Sequence, residues 1–301
     1  VIDGDVVYRR ANLWRLVAAL AQQLERLSLP ANSRIAVLLP NSVQAVASVL
    51  AIARSGHSCL PLNVALTHVE LAAIFGRCDV RAVFGDPSVA ARLPAHVSLL
   101  PVDENPAGRG PGADHGIPPW PAADPGREFV CLSMSGSSGE PRLVARSARA
   151  VEANLRHVAA ALEVTAADRF LAVVPFWHAN GFSNCLLLPW WCGAGIVAMG
   201  RFVPRLALEK IRDQAVSVVI GSPFIFKALS QAAAAQPGAS LGLDGVRAWI
   251  SSGAALPAGL DERLRGQGIA VRQLYGSSET GTLCLSGPER REPGSVGRPV
   301  A

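Results

Sequence analysis

The 301-residue chain has few charges, few aromatics and no block of lysine or arginine. Charged residues make up 17% of it, and the net charge of +5, with a pI near 9.1, comes mostly from scattered arginines. A nucleic-acid groove needs a clustered basic stripe interleaved with aromatics, so that class of partner is set aside. A weak positive field suits small anions instead. None of the cysteines, Cys59, Cys78, Cys131, Cys185, Cys192 and Cys284, forms a C-x-x-C pair, which removes the usual zinc and redox frameworks. Most sit in apolar runs, where a free thiol packs as a small hydrophobe, and this favours a reducing cytoplasm over a disulfide scaffold. Val1 stands where a nascent chain has Met, which leaves room for a trimmed leader.

An unbroken apolar span is also missing. The stretch from Leu171 to Met199 holds no Asp, Glu, Lys or Arg, but Pro175, Asn180, Gly181, Asn184, Pro189 and Gly193 interrupt it. A lipid-exposed helix tolerates such breaks poorly, so a buried strand, turn, helix and strand are expected here and no membrane span.

Half of the residues are hydrophobic, enough to build a well-buried core. Leu13, Leu16, Val17, Leu20, Leu24 and Leu27 recur on one helical face. Arg34–Leu39 reads as a strand, Val43–Arg54 as a helix and Cys59–Leu62 as a strand. Thr67 with Glu70 forms a capping box that should open a helix, and Arg81–Gly85 is a further buried strand. A loop rich in Pro and Gly follows from Pro101 to Gly126. The alternation then resumes with strand Phe129–Met134, helix Ala148–Leu162 and strand Phe170–Val174. Pro204 and Pro223 suit the first turns of helices. Val216–Ile220, Val246–Ile250 and Ile269–Leu274 read as strands. Strands alternating with helices imply parallel sheets covered on both faces, with ligands beyond the carboxyl ends of the strands.

The informative loops fall there. Ser133-Met-Ser-Gly-Ser-Ser-Gly-Glu-Pro-Arg142 can crowd N–H groups and hydroxyls around an oxyanion, with Arg142 adding charge. It lacks the Lys-Ser/Thr step of a Walker loop, so a P-loop NTPase is excluded. In Gln273-Leu-Tyr-Gly-Ser-Ser-Glu-Thr-Gly281, Tyr275 offers a flat face, Ser278 a hydroxyl and Glu279 a hard oxygen ligand for Mg²⁺. Pro175-Phe-Trp-His-Ala-Asn-Gly181 sets His178 among aromatics, where a packed structural histidine is the commoner outcome. Ser251-Ser-Gly-Ala-Ala-Leu-Pro257 precedes a helix starting at Pro257, and its small residues would let a purine lie against the backbone. Pro293-Gly-Ser-Val-Gly-Arg-Pro299 adds a weaker segment.

Taken in order from Asp3-Gly-Asp5 to Arg298-Pro299, these segments resemble the adenylate-forming superfamily of acyl-CoA synthetases, peptide-synthetase adenylation domains and beetle luciferases. The resemblance implies the fold class: an α/β domain of two packed, largely parallel sheets flanked by helices in αβαβα layers. Two interleaved subdomains are expected, one at about 42–160 and the other formed by 1–41 plus 161–301. The resemblance also implies roles. Ser135, Gly136, Ser137, Ser138, Gly139 and Arg142 would hold the β- and γ-phosphates of ATP. Gly253, Ala254 and Ala255 would line the adenine, and Tyr275 with Gly276 would lie near it. Ser278 would contact the α-phosphate or the new carboxyl oxygen. Glu279 would hold Mg²⁺, and His178 would gate the acid pocket. The product would be an acyl-adenylate, passed to the thiol of coenzyme A or of the phosphopantetheine arm of an acyl carrier protein. Anion attacking anion calls for charge neutralisation and in-line positioning, so no acid–base pair or catalytic triad is required.

Two departures stand out. Glu140 and Arg142 occupy positions where the family often has Lys, which changes the charge and shape of the phosphate loop. The family's barrel subdomain, hinge and lysine-bearing C-terminal domain are not found by Ala301, so the chain is expected to be a fragment that binds nucleotide poorly and turns over slowly. Amino-acid-activating relatives usually carry Asp in the segment Phe176–Gly181. None is present, which favours fatty or aryl acids, with Phe176, Trp177, Phe182, Phe224 and Phe226 as candidate pocket residues, of which Phe226 is expected to be plain core. The alternatives are an amino-acid adenylation module and a catalytically silent nucleotide-binding homologue.

Overall fold

A computed structural model of the chain describes residues 1–102, 124–134, 142–235, 243–287 and 295–301. They form two compact units, one of Val6–Val151 and one of Val1–Asp5 with Glu152–Ala301.

In the unit Val6–Val151 the sheet order is Ser98–Pro101, Ala82–Gly85, Arg34–Leu38, Ser58–Pro61, Glu128–Met134 and Arg142–Ser147. All neighbours are parallel except the last pair. Helix Val43–Arg54 is buried from Val43 to Ala53 except at Gln44, as a helix apolar on every side must be. The Ser42 hydroxyl caps it by accepting from the Ala45 N–H at 3.2 Å. Helix His68–Cys78 opens at the expected capping box: the Glu70 N–H donates to Thr67 Oγ1 at 3.3 Å, and the Thr67 N–H to Glu70 Oε2 at 2.7 Å. Its inner face joins Leu38, Leu60 and Val83 in one apolar cluster through Leu71 and Phe75. Across the sheet, Arg34 grips Glu128 with two 2.7 Å bonds, and Ser58 Oγ donates to the same carboxylate at 2.7 Å. That fork holds the Glu128 carboxyl below its usual pKa.

The division of the chain differs from the expected one. Strand Arg34–Leu38, expected to belong with the second half, lies inside the first sheet, where its residues pair with both Ser58–Pro61 and Ala82–Gly85. The boundaries therefore fall at Asp5/Val6 and Val151/Glu152 rather than near residues 42 and 160.

In the other unit the sheet contains, in order, Arg298–Pro299, Gly281–Leu285, Val271–Ser277, Ala248–Ser251, Val218–Gly221, Arg169–Ala172, Gly195–Ala198 and Ile2–Asp3. The pairings from Val271–Ser277 through to Ile2–Asp3 are parallel, and the first two are antiparallel. Pro204 and Pro223 occupy first-turn positions of helices Pro204–Asp213 and Pro223–Ala234. The long apolar stretch resolves into strand Arg169–Ala172, a π-helical segment Gly181–Leu187, the short helix Leu188–Cys192 and strand Gly195–Ala198. No helix among the described residues is long and apolar enough to cross a membrane.

Beneath the amino ends of these strands, Asp168 anchors three segments. Arg247 donates to both of its carboxylate oxygens at 2.8 and 2.7 Å, Ser217 Oγ at 2.7 Å and the Thr165 N–H at 2.8 Å.

Candidate active site

The strands Arg169–Ala172, Val218–Gly221, Ala248–Ser251 and Val271–Ser277 run parallel, so their carboxyl ends share one edge of the sheet. Parallel strands leave such an edge open for ligands. Gly221 lies opposite Ser251, and Ser251 opposite Gln273. The loop carrying Gly253, Ala254 and Ala255 therefore departs beside the strand carrying Tyr275. Gly253 adopts φ +88°, a backbone state that a side chain would strain. All three small residues are exposed. The Leu256 N–H donates to Gln273 Oε1 at 3.4 Å and ties the loop back to its neighbouring strand.

The strand register shifts between Tyr275 and Gly276. Such a bulge re-aims the side chains beyond it. Tyr275 is 53% exposed, although Leu274 before it is 4% exposed. A Cβ on Gly276 would stand 2.1 Å from the Gly281 carbonyl oxygen, so the two strands approach here only because the side chain is missing. Ser277 and Thr280 close the following turn: each N–H donates to the other's hydroxyl at 3.3 Å, and the hydroxyl oxygens lie 3.1 Å apart. This turn presents Glu279 as exposed and Ser278 as half-buried.

His178 lies in the loop after Arg169–Ala172. Its N–H donates to the Pro175 carbonyl at 3.0 Å, and its Nδ1 accepts from the Asn180 N–H at 3.2 Å. An accepting Nδ1 puts the ring proton of the neutral imidazole on Nε2. The ring meets Trp177 edge-on at 6.2 Å. Although the residue is exposed, desolvation by its surroundings lowers its pKa, so the imidazole is neutral at pH 7. Gly181 makes the turn possible, because a Cβ there would stand 2.0 Å from the Pro175 carbonyl oxygen.

A buried polar network underlies these two loops. Asn184 Nδ2 donates to Asn180 Oδ1 at 2.8 Å and to Thr282 Oγ1 at 3.4 Å. Asn154 holds the Thr282 backbone on both sides, donating to its carbonyl at 2.8 Å and accepting its N–H at 3.2 Å. Asn184 Oδ1 is buried without a hydrogen-bond partner among the described residues. Sequence reasoning read Asn180 as a break in an apolar run and a member of the His178 segment, read Asn184 only as a break, and passed over Asn154 and Thr282. For Asn184 the available signal was an amide amid residues otherwise fit for a core, since a buried amide needs partners.

The remaining candidates divide. Ser135, Gly136, Ser137, Ser138 and Gly139, with Glu140, lie outside the described residues. Arg142, exposed, opens its strand opposite Met134 in the unit Val6–Val151. Of the aromatic candidates, Phe176, Phe182 and Phe226 are buried, Trp177 is half-buried and Phe224 is 71% exposed. Phe226 is core, packed edge-on against Trp249 at 6.3 Å. A separate cleft of about 570 Å³ at the ends of two helices, lined by Leu24, Glu25, Arg54, Ser55 and His57 among others, holds none of the candidate residues.

Comparison with known proteins gives these loops their context. The family model described as "AMP-binding enzyme" matches residues 2–301. The chain belongs to the AMP-binding enzyme family. Among curated relatives of this AMP-binding chain, a feruloyl-CoA synthase from Amycolatopsis is 29% identical over 99% of the chain and 60% of that protein. An indoleacetate–CoA ligase from Aromatoleum aromaticum is 26% identical over 98% of the chain and 60% of that protein. The chain thus spans about 60% of the length of these relatives. Its fold matches the ATP-bound crystal structure of MatB from Rhodopseudomonas palustris with a TM-score of 0.81 at 23% identity, over 95% of the chain and 58% of MatB. It also matches the N-terminal domain of FACL13 from Mycobacterium tuberculosis with a TM-score of 0.80 at 23% identity, over 93% of the chain and 72% of that one.

Among the described residues no three of His, Cys, Asp and Glu converge as a metal cluster. Mg²⁺ is commonly held by one or two carboxylates together with phosphate oxygens and water. A single exposed carboxylate at Glu279, on a turn built from hydroxyls, fits that donor set.

Proposed function

We propose that this chain provides the ATP- and acid-binding part of an acid–thiol ligase that forms AMP. A carboxylate oxygen attacks the α-phosphorus of ATP, the bond to pyrophosphate breaks, and an acyl-adenylate forms. A thiol then attacks the acyl carbon and AMP leaves. Support comes from the family match over residues 2–301, together with three candidate loops that leave carboxyl ends on one sheet edge.

Each residue has a defined task in this reading. Gly253, Ala254 and Ala255 accept the adenine against bare backbone, and Tyr275 covers a base face. Ser278 donates to an oxygen at the reacting phosphorus. Glu279 would hold Mg²⁺, which when bound offsets the charge of the phosphates. Neutral His178 carries its proton on Nε2 and can donate to the incoming carboxylate without adding net charge. The Ser135–Gly139 segment and Arg142 cradle the outer phosphates.

The acid is fatty or aryl rather than an α-amino acid. The Phe176–Gly181 segment has no carboxylate to pair with an ammonium, and the two ligases named above are named for aryl acids. The acceptor is coenzyme A or a carrier's phosphopantetheine. A reducing cytoplasm suits a chain whose six cysteines are all free.

ATP–pyrophosphate exchange on the full-length polypeptide, with a panel of fatty, aryl and amino acids, tests the reading. Exchange is expected with one of the first two classes. No exchange with any acid overturns it.

A further inference from the structure

The two loops that must cooperate in adenylation are joined by hydrogen bonds beneath the site. On one side, the Asn180 N–H holds His178 Nδ1 at 3.2 Å. The Asn180 side chain accepts from Asn184 Nδ2 at 2.8 Å, and the same nitrogen reaches Thr282 Oγ1 at 3.4 Å. On the other side, Thr282 follows the turn bearing Ser278 and Glu279, and Asn154 fixes its backbone through both N–H and carbonyl. Asn184 is 3% exposed and Thr282 is 4% exposed. Asn184 lies in the π-helical segment Gly181–Leu187, and π-turns recur at functional sites.

We propose that Asn184 is a positioning residue that holds the His178 loop in register with the Glu279 turn. The proposal rests on the ligase reading above. In-line attack requires the carboxylate, near His178, and the α-phosphorus, near Glu279, to meet at a fixed separation, and small misplacements there are costly in rate. A bridge between the loops acts on that separation and leaves the separate binding of ATP and of acid unchanged. Its effect belongs in kcat rather than in either KM.

Turned over, the Asn184 amide would set its oxygen against Asn180 Oδ1, acceptor against acceptor, so the bonds fix the nitrogen toward Asn180 and Thr282 and leave Oδ1 as the buried orphan. Replacing the amide and the Thr282 hydroxyl by apolar groups of similar shape removes that orphan, so stability is little changed. A purely structural role predicts the reverse, with lost stability and intact turnover.

The experiment compares parent, Asn184→Leu, Thr282→Val, the double variant and Thr282→Ser by pyrophosphate exchange and thermal melting. Asn184→Leu and Thr282→Val are expected to lower kcat about 10- to 100-fold with both KM values nearly constant. The double variant is no worse than Asn184→Leu alone, because both act through one bridge. Thr282→Ser, which keeps the hydroxyl, retains the parent's rate, and Tm moves by no more than about 4 °C. Parent-like kcat in both Asn184→Leu and Thr282→Val, or additive losses in the double variant, overturns the bridge. A second arm needs no turnover: nitrogen NMR of the His178 imidazole should report one Nε2–H tautomer in the parent and a mixture in Asn184→Leu. If the parent shows no exchange with any acid, the ligase reading fails, and the tautomer alone decides the bridge. An unchanged tautomer then overturns it.

Discussion

Glu279 stands on a turn whose shape is set by neighbours that carry no charge. Ser277 and Thr280 cross-bond the turn, and Gly276 lets the strands close behind it. The printed bonds that shape the turn belong to Ser277 and Thr280, so the chemistry at Glu279 can be changed while those bonds stay. Glu279→Gln keeps the size and loses the hard anionic oxygen that Mg²⁺ prefers. Losing a group aimed at transition-state charge typically costs about 100-fold or more in turnover. We expect Mg²⁺-dependent exchange in Glu279→Gln to fall by about that factor, with the thermal midpoint unchanged because the residue is exposed. Parent-like exchange would move the metal role to another residue. The sequence made this site partly legible, because a Gly/Ser-rich turn after a strand is a local pattern. The Asn154–Thr282 clamp was not legible, because its partners are 128 residues apart and nothing local marks either of them.

Among elements, Asp168 has the most leverage. It precedes its strand and accepts from Arg247, Ser217 and Thr165, so one carboxylate joins the entries to three parallel strands. The Arg247 fork, first among the causes, holds its pKa far below the ordinary carboxylate value near 4. A depressed folded pKa contributes stability that is fully present above the unfolded value and is lost as pH falls toward the folded one. Thermal midpoints should therefore decline below about pH 4 in the parent, and Asp168→Asn should flatten that decline. At pH 7 the variant should lose about 2 kcal/mol, less than a fully buried pair would, because the Arg247 side chain is 39% exposed. Parallel melting curves for parent and variant between pH 2 and 7 would place the acid sensitivity elsewhere. At this scale the sequence was informative where caps and periodicity agree: helix Val43–Arg54 has the expected ends, and the Thr67–Glu70 box opens its helix. It was less so for strands Arg142–Ser147 and Gly281–Leu285, whose antiparallel pairing depends on partners rather than on a local pattern. The π-helical segment Gly181–Leu187 was hidden for the same reason, since its turn depends on Gly181 fitting under Pro175.

Across the whole chain, the cysteines test how well both units are packed. Cys59, Cys78, Cys131 and Cys185 are buried, and Cys192 and Cys284 are half-buried, with no disulfide among them. Burial raises the thiol pKa of Cys185 to about 12 and pushes that of Cys59 higher still, so neither supplies thiolate at neutral pH. A thiol reagent needs both access and thiolate. In the native chain it should therefore react promptly with Cys192 and Cys284 at most, and the other four should respond only as fast as the structure opens. Unfolding in denaturant without reductant should release all six, since none is oxidised. Timed titration with an aromatic disulfide reagent, with and without denaturant, makes the comparison. A third fast thiol in the native chain would mean that one of the two cores is looser than its burial implies. Fewer than six after unfolding would mean that a pair had been oxidised.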